Sequence, residues 1–251
     1  MLTPLKWLTV VLLSIMTHTA LAQSATKIRI AYPSGMNGIY PTTMERAGIA
    51  KKYGFDPEFT FFQNGPPMME ALASGKVDAV ITSLMPVTSF MSRQPGKAVI
   101  VAQLGHSSHS LMVDKSSPAR SLADLRGKPI AVSFGTDSHL DLLESLKKSG
   151  LDPAKDVKLI NTPPNELMLA LNQDFAEAIL VRQRRGLRMQ EQFGARAIQT
   201  WPFRFVAIMR ADYLKENPDA KARFMSALRE SVFYVSQNHE QASAWFGEQL
   251  R

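Results

Sequence analysis

The 251-residue sequence contains no cysteine. The chain therefore forms no disulfide, offers no thiolate to a metal ion and has no cysteine nucleophile. Long apolar runs are also scarce, since the longest clear one, at residues 7–16, is shorter than the about 20 residues that a transmembrane helix needs. Hydrophobic residues make up 45% of the sequence, which is enough for a chain that folds around an ordinary core.

The N-terminal residues have the layout of a cleavable secretory signal. Lys6 precedes the apolar run at residues 7–16, and Ala20-Leu21-Ala22 places small residues at the two positions that signal peptidase reads. We predict that residues 1–22 are a signal peptide cleaved after Ala22, the alternative being an uncleaved anchor. An export signal without cysteines is typical of a bacterial periplasmic protein that relies on its core for stability.

Acidic residues are outnumbered by basic ones, 22 against 29, and the formal net charge is +7. This excess weakly favours an anionic ligand or surface. The most basic segment, residues 182–188 (RQRRGLR), lacks the interleaved aromatic residues of a nucleic-acid patch. Because the chain is also predicted to be exported, we expect no nucleic-acid partner and interpret the segment as a solvated helix face with Arg182 alone turned into the cleft.

Runs rich in β-branched and aromatic residues alternate with amphipathic segments along most of the chain. Strands are predicted at residues 27–32, 59–62, 77–82, 98–104, 128–134, 156–161, 176–181 and 203–209. Several of the intervening helical segments end at a glycine, such as Gly54, Gly75 and Gly150. Alternation of this kind predicts an α/β fold whose parallel strands are covered on both faces.

One supersecondary unit occurs twice. Residues 66–82 and 163–181 both contain two prolines, an acidic residue, an apolar helix, a short polar break and a buried strand. The repeat predicts two similar lobes with a ligand cleft between them and a seam near residues 112–116. We assign residues 23–112 to lobe 1, residues 113–201 to lobe 2, and residues 202–251 to a return into lobe 1 that ends in helices.

Three segments resemble the solute-binding proteins of ABC importers for nitrate, sulfonate and taurine: residues 64–82, residues 111–157 and residues 217–246. The resemblance covers most of the mature chain, and the helix after the glycine-centred turn is its most specific part. It implies the two-lobed type II periplasmic-binding-protein fold with two crossover segments. The same fold also resembles that of thiamine-pyrimidine-synthase-like domains.

Two features depart from this family. Where sulfonate binders resemble one another in a Trp-Asp-Pro stretch, this chain has Leu180-Val181-Arg182, so the tail of a ligand is expected to meet a different wall. Relatives usually continue with further helices after the position of Arg251. Part of the outer layer of lobe 1 is therefore expected to be absent, through truncation or genuine shortening.

Binding a small anion requires converging hydrogen-bond donors. Backbone and side-chain donors after predicted strands make candidates in three loops, at residues 33–40, 63–67 and 82–86, and two further candidates are His109 in the segment "GHSSHS" and Arg182. His106 and His109 follow a predicted strand and have a spacing of three residues, but no third ligand lies nearby, so no metal site is predicted. We interpret this segment as a loop whose histidines form hydrogen bonds to the ligand or to the backbone. The ligand-binding candidates outside the glycine-centred turn are Ser34, Gly35, Asn37, Asn64, Gly65, Ser83, His109 and Arg182.

The turn before the helix at residues 137–148 has two interpretations. It either directs unpaired backbone N–H groups and hydroxyls at an oxyanion, or it is an ordinary turn in which a side chain caps the helix. The family resemblance favours a ligand site at Gly135, Thr136, Asp137, Ser138 and His139. Asp137 then either faces away as a cap or meets the ammonium group of a zwitterion such as taurine.

The function expected from these features is an extracytoplasmic receptor that captures a small anionic or zwitterionic solute and delivers it to the permease and ATPase of an ABC importer. We expect a monomer with no cofactor, no catalytic residues and a periplasmic location. Two alternatives are a binder or synthase-like enzyme for thiamine-pyrimidine precursors, and a sensor domain that serves a membrane receptor. The chain has no convincing nucleophile and base, which disfavours the enzyme.

Overall fold

The computed structural model describes residues 25–250, so the predicted signal peptide and its cleavage site lie outside the described residues. Eight strands lie within this range: β1 (Thr26–Pro33), β2 (Phe55–Phe62), β3 (Ala79–Ser83), β4 (Ala98–Val113), β5 (Pro129–Val132), β6 (Lys158–Asn161), β7 (Ala178–Arg182) and β8 (Arg196–Arg210). Each predicted run overlaps one of these strands.

Helices connect most of the strands. Within residues 25–250 the α-helices are α1 (Ile39–Arg46), α2 (Ile49–Lys52), α3 (Gly65–Ala73), α4 (Leu84–Arg93), α5 (Asp137–Lys148), α6 (Leu167–Asn172), α7 (Gln183–Phe193), α8 (Ala211–Glu216), α9 (Ala220–Gln237) and α10 (His239–Gln249). Helix α5 begins where the sequence places it, after a turn at Gly135. None of the helices between residues 25 and 250 has both the length and the apolar composition to cross a bilayer.

The strands form one mixed sheet in the order β2-β1-β3-β8-β4-β7-β5-β6. The two ends of the sheet have the same arrangement: β1 pairs in parallel with β2 and β3, and β5 pairs in parallel with β6 and β7. We call β2-β1-β3 the first half-sheet and β6-β5-β7 the second half-sheet. The repeated units of the sequence occupy equivalent places, because one contains α3 and β3 and the other contains α6 and β7.

The two long strands join the half-sheets. Strand β8 pairs antiparallel with β3 over Phe205–Met209, and β4 pairs antiparallel with β7 over His109–Val113. Strands β4 and β8 also pair antiparallel with each other along their lengths. They are therefore the two crossover segments, and the expectation of parallel strands throughout is wrong for this pair, because a segment that returns between lobes must run back along its partner.

Both faces of the sheet are covered by apolar side chains. On β1, Ile28 and Ile30 belong to one cluster with Phe224 of α9, whereas Ala31 belongs to another cluster with Met68 of α3. Strands of the second half-sheet divide in the same way between two clusters. Successive side chains of a strand point to opposite faces, so this division gives each half-sheet a core on each side.

A buried carboxylate ties the first half-sheet to β8. Asp78 accepts hydrogen bonds from the Arg29 backbone N–H, from two guanidinium nitrogens of Arg29 and from Arg210 Nη2, at 2.7–3.0 Å. Burial raises the pKa of Asp78, but the bonds from Arg29 and Arg210 outweigh it and hold the pKa below its ordinary value. Asp78 therefore stays charged and paired.

Candidate ligand-binding site

A small cavity lies at the carboxyl ends of the parallel strands of both half-sheets. Its volume is about 40 Å³. Its lining residues are Pro33, Ser34, Gly35, Asn37, Gln63, Asn64, Gly65, Thr82, Ser83, Ser133, Thr136, Ser138, Pro164, Leu167, Leu180, Arg182 and Arg185. A water-sized group takes roughly 10–15 Å³ on this scale, so the cavity holds about three such groups, which suits a small polar head group.

Four helices begin at this cavity. Asn64, Ser83, Thr136 and Arg182 precede the first residues of α3, α4, α5 and α7, and all four line the cavity. None of the four side chains caps its own helix with a hydrogen bond. Helix N-termini carry partial positive charge and unpaired N–H groups. Their convergence therefore favours an anionic or oxygen-rich ligand.

Arg182 supplies a full positive charge at the cavity. Its Nη2 donates to Ser83 Oγ at 3.3 Å, and its Cζ lies 4.0 Å from the centre of the Phe203 ring. Its Nη1 is buried and has no hydrogen-bond partner among the described residues. Burial lowers the pKa of Arg182 to about 10, and Asp137 opposes this shift, so the guanidinium is charged at neutral pH. A buried donor without a partner is costly unless a ligand pairs with it.

Two equivalent serines shape the floor of the cavity. Ser34 follows β1 and donates to the carbonyl of Gln63 at 3.0 Å, and Ser133 follows β5 and donates to the carbonyl of Thr162 at 2.7 Å. Each serine therefore ties the end of one parallel strand to the loop after its neighbour. Because both hydroxyl protons are used in this way, the two serine oxygens can only accept a hydrogen bond from a ligand and cannot donate one.

Asp137 is buried beside the cavity but does not line it. Its Oδ1 accepts a hydrogen bond from the Met85 N–H at 3.0 Å, and its Oδ2 lies 3.7 Å from Arg182 Nη2. Oδ1 is therefore engaged by the start of α4, whereas Oδ2 is buried without a hydrogen-bond partner among residues 25–250 and faces the nearest cation. This arrangement corresponds to the cap interpretation, except that the helix capped is α4 and not α5.

The turn around Gly135 differs from the predicted donor cradle. Gly135 has φ +73°, and a Cβ at this position would lie 2.9 Å from Pro66 Cγ, so glycine is required both by conformation and by space. Its N–H donates to His139 Nδ1 at 3.3 Å, and the His139 ring stacks on Phe134 at 4.3 Å. The Gly135 N–H is thus used within the turn. Neither Gly135 nor His139 lines the cavity.

His109 lies in strand β4, and the interpretation of "GHSSHS" as a loop is wrong. Its imidazole is completely buried and stacks on Phe203, with ring centres 5.4 Å apart. Burial lowers the pKa of His109 to about 3, and the charge of Arg182 acts in the same direction, so the ring is neutral. Nε2 lies 3.0 Å from Asp141 Oδ2 without hydrogen-bond alignment.

The environment of Asp141 in this contact disfavours its charged form. Burial raises its pKa to about 6, and the negative charges of Asp137 and Glu144 add to the shift. The carboxyl group is therefore disfavoured in its charged form at the place where it packs against β4. His109 stacks on the Phe203 ring, over which the Arg182 guanidinium also lies, and neither His109 nor Asp141 lines the cavity.

The structure brings nine of the thirteen predicted site residues to one cavity. Those in the lining are Ser34, Gly35, Asn37, Asn64, Gly65, Ser83, Thr136, Ser138 and Arg182, whereas His109, Gly135, Asp137 and His139 lie behind or beside it. The lining also contains Gln63 and Thr82, which lie in two of the candidate loops but were not singled out, and Ser133 and Arg185, which sequence reasoning missed. Ser133 lies near the end of a predicted strand, and Arg185 lies in the basic segment, so the expectation that Arg182 alone of that segment enters the cleft is wrong. Among residues 25–250, no group of three His, Asp or Glu side chains is placed to hold a metal ion.

Comparison with known proteins identifies the relatives of this chain. The family model described as "NMT1/THI5 like" matches residues 51–242. The taurine-binding periplasmic protein of Escherichia coli (strain K12) is 26% identical over 243 residues, which cover 90% of this chain and 72% of that protein.

Solved structures share the fold. The alkanesulfonate-binding protein of Xanthomonas axonopodis pv. citri, solved with MOPS, superposes with a TM-score of 0.76 at 17% identity over 89% of this chain and 78% of that one. A Candida albicans protein described as having the generic periplasmic binding protein fold gives a TM-score of 0.74 at 14% identity over 89% and 76% of the two chains. The predicted periplasmic-binding-protein fold is thereby confirmed, and the chain belongs to the NMT1/THI5-like family.

Proposed function

We propose that this protein is the extracytoplasmic solute-binding receptor of an ABC importer and that it captures a small anionic or zwitterionic solute between two closing lobes. The observation that carries the proposal is the buried Arg182 Nη1, which lacks a hydrogen-bond partner within residues 25–250 at a cavity where four helices begin. Arg182 and Arg185 are the charged residues in the lining, and the lining contains no acidic residue among residues 25–250. The site is therefore built for negative charge.

The volume of the cavity and the ligands for which similar proteins are named both narrow the class of solute. A cavity of about 40 Å³ accepts a compact head group. One relative is named for taurine, and a protein of the same fold is named for alkanesulfonates. A sulfonate, taurine or nitrate presents several oxygens to converging N–H donors and one negative charge to Arg182, so these solutes are the first candidates.

Closure about the crossover strands is the proposed mechanism. Around His106–Ser108 of β4 and Pro202–Arg204 of β8 the two strands pair only with each other, because β3 pairs with β8 from Phe205 onward and β7 pairs with β4 from His109 onward. A two-stranded ribbon is the least supported part of the sheet and is suited to bending. Lobe 1 (residues 23–112 and 202–251) and lobe 2 (residues 113–201) would then rotate about it, and the closed monomer would dock on the permease that works with the ATPase.

Binding is favoured over catalysis by the composition of the lining. Its hydroxyl groups, such as Ser34, Ser83 and Ser138, have no histidine or carboxylate beside them in the described cavity wall. A serine nucleophile needs an adjacent base, so the arrangement holds a ligand without activating an attacking group. The predicted signal peptide places the mature receptor in the periplasm.

A thermal-shift screen of the protein purified from periplasmic extract tests this function. Sulfonates, taurine, nitrate, carboxylates and thiamine-pyrimidine precursors are added singly at increasing concentration. A solute at 100 times its Kd stabilises the folded protein by about 2.7 kcal/mol, and the Arg182→Gln variant should lose that response. The proposal is abandoned if no anion stabilises the protein. If only thiamine-pyrimidine precursors stabilise it, the alternative of a precursor-binding protein replaces the anion receptor.

A further inference from the structure

Asp137 forms a contact between the two half-sheets. It is the first residue of α5, which follows β5 of the second half-sheet, yet its Oδ1 accepts the N–H of Met85 in the first turn of α4, which follows β3 of the first half-sheet. The two residues are 52 positions apart, and the Asp137 side chain is only 9% exposed. A carboxylate of one half-sheet thus caps a helix of the other.

The N-terminus of α4 needs such a partner. Ser83 precedes this helix but its side chain makes no capping bond, and Pro86 in the first turn has no N–H to offer. The Met85 N–H is therefore a donor that only an acceptor from elsewhere can satisfy. A negatively charged acceptor is favoured further by the helix dipole.

The same seam contains two supporting contacts. Arg182 of the second half-sheet donates to Ser83 at the end of β3, and Gly135 lies against Pro66 at the start of α3. Asp137 differs from both because its contact joins a charged side chain to a backbone donor, and its bond is shorter than that of Arg182, 3.0 Å against 3.3 Å. Bonds of this kind are stronger than neutral ones.

We propose that Asp137 is a positioning residue that latches α4 to α5 and holds the two half-sheets closed over the cavity, and that it does not bind the solute itself. This inference rests on the proposed function, because closure over a solute is the step that a latch would serve. In this proposal the carboxylate of Asp137 stabilises the closed form, and the guanidinium of Arg182 binds the anion. Loss of the bond should lower the ratio of closed to open molecules roughly ten- to hundredfold, with or without solute.

Two substitutions remove the same bond from opposite sides. Asp137→Ala removes the acceptor, and Met85→Pro removes the donor. Helix α3 already carries Pro66 and Pro67 at the second and third positions from its first residue, and Met85→Pro would reproduce that order in α4. Met85→Ala is the matched control, since it removes the side chain but keeps the N–H.

The readout is the distance between the half-sheets in solute-free protein. Because the chain has no cysteine, Lys51→Cys in α2 and Lys147→Cys in α5 give two unique exposed positions for spin labels. Pulsed electron–electron double resonance should show longer distances between the two spin labels in the Asp137→Ala and Met85→Pro chains than in the parent chain and in Met85→Ala. Combining the two substitutions should add nothing, since both remove one bond.

The latch is refuted if both variants keep the parental distance distribution while remaining folded by circular dichroism, or if Met85→Ala shifts it as far as Met85→Pro does. These outcomes require no ligand. The receptor proposal fails separately, when no oxyanion stabilises the parent chain in the thermal screen.

Discussion

Arg182 is predicted to contribute most of the charge-dependent affinity for an anionic solute. Its Nη1 has no hydrogen-bond partner among the residues that the structure describes, while Nη2 and the guanidinium plane are held by Ser83 and Phe203. The Arg182→Gln variant therefore loses at least one charge-assisted bond to the solute. Such a bond contributes about 1.5–3 kcal/mol, so the Kd measured by isothermal titration calorimetry should rise roughly ten- to hundredfold.

A second variant separates the loss of charge from damage to the fold. Arg182→Gln also deprives the buried Asp137 of its cation, 3.7 Å away, which should lower the free energy of unfolding by about 1 kcal/mol. Adding Asp137→Asn removes the unpaired carboxylate and should restore most of that stability in urea titrations. The anion affinity of the double variant should nevertheless stay low.

Arg182→Lys provides a graded comparison. Lysine keeps the charge but cannot stack as a plane on Phe203 while also reaching Ser83, so its affinity should lie between the parent and Arg182→Gln. The reasoning is refuted if Arg182→Gln binds as the parent does, or if the double variant regains full affinity along with stability.

Three further outcomes are expected. Intact-mass analysis of periplasmic extract should find a chain that begins at Gln23, and a full-length membrane-bound species would contradict the predicted cleavage. Small-angle scattering should give a smaller radius of gyration at saturating solute, with the larger decrease in the Asp137→Ala chain because its solute-free form is the more open, whereas unchanged curves for both chains would argue against closure of the lobes. Because the pKa of Asp141 is raised to about 6 from 3.8, its charge destabilises the folded protein increasingly from about pH 4 to pH 6 and fully above that. Asp141→Asn should therefore leave unfolding free energy nearly unchanged at pH 4 and raise it by up to about 3 kcal/mol at pH 7.5 in urea titrations, and an equal gain at both pH values would contradict this origin.

The sequence predicts the alternation of strands and helices because apolar periodicity reports burial on both faces of the sheet. The sequence pattern underestimates the lengths of the crossover strands β4 and β8. Strand β4 continues through residues 105–110, a polar segment of glycine, histidine and serine, and β8 begins seven residues before its predicted start. Both stretches include part of the ribbon His106–Ser108 and Pro202–Arg204, where β4 and β8 pair with each other and with no other described strand, and their many polar side chains give no strong apolar pattern.

The candidate site is predictable to the extent that its residues follow strand ends. Ser34, Ser83 and Arg182 meet that description. They line one cavity because the two half-sheets run antiparallel to each other and are offset along β4 and β8, so that the carboxyl ends of their strands face each other. The role of Asp137 could not be predicted, since its partner is a backbone N–H 52 residues away. His109 resembled a loop ligand only because the strand that buries it was not recognised.

The position of β8 in the sheet has a consequence for how the chain is made. Strand β8 lies between β3 and β4, so the middle of the sheet is completed by a strand that follows the other seven described strands in the chain. Until those residues are synthesised, β3 presents an unpaired edge and the cores on both faces of the first half-sheet lack Val206–Met209. A nascent chain, or a truncated chain that ends before β8, therefore has an incomplete first half-sheet, and pairing over such long sequence separations makes its folding slow. Strands β5, β6 and β7 all precede β8, so the half-sheet that begins first along the chain is the one completed last.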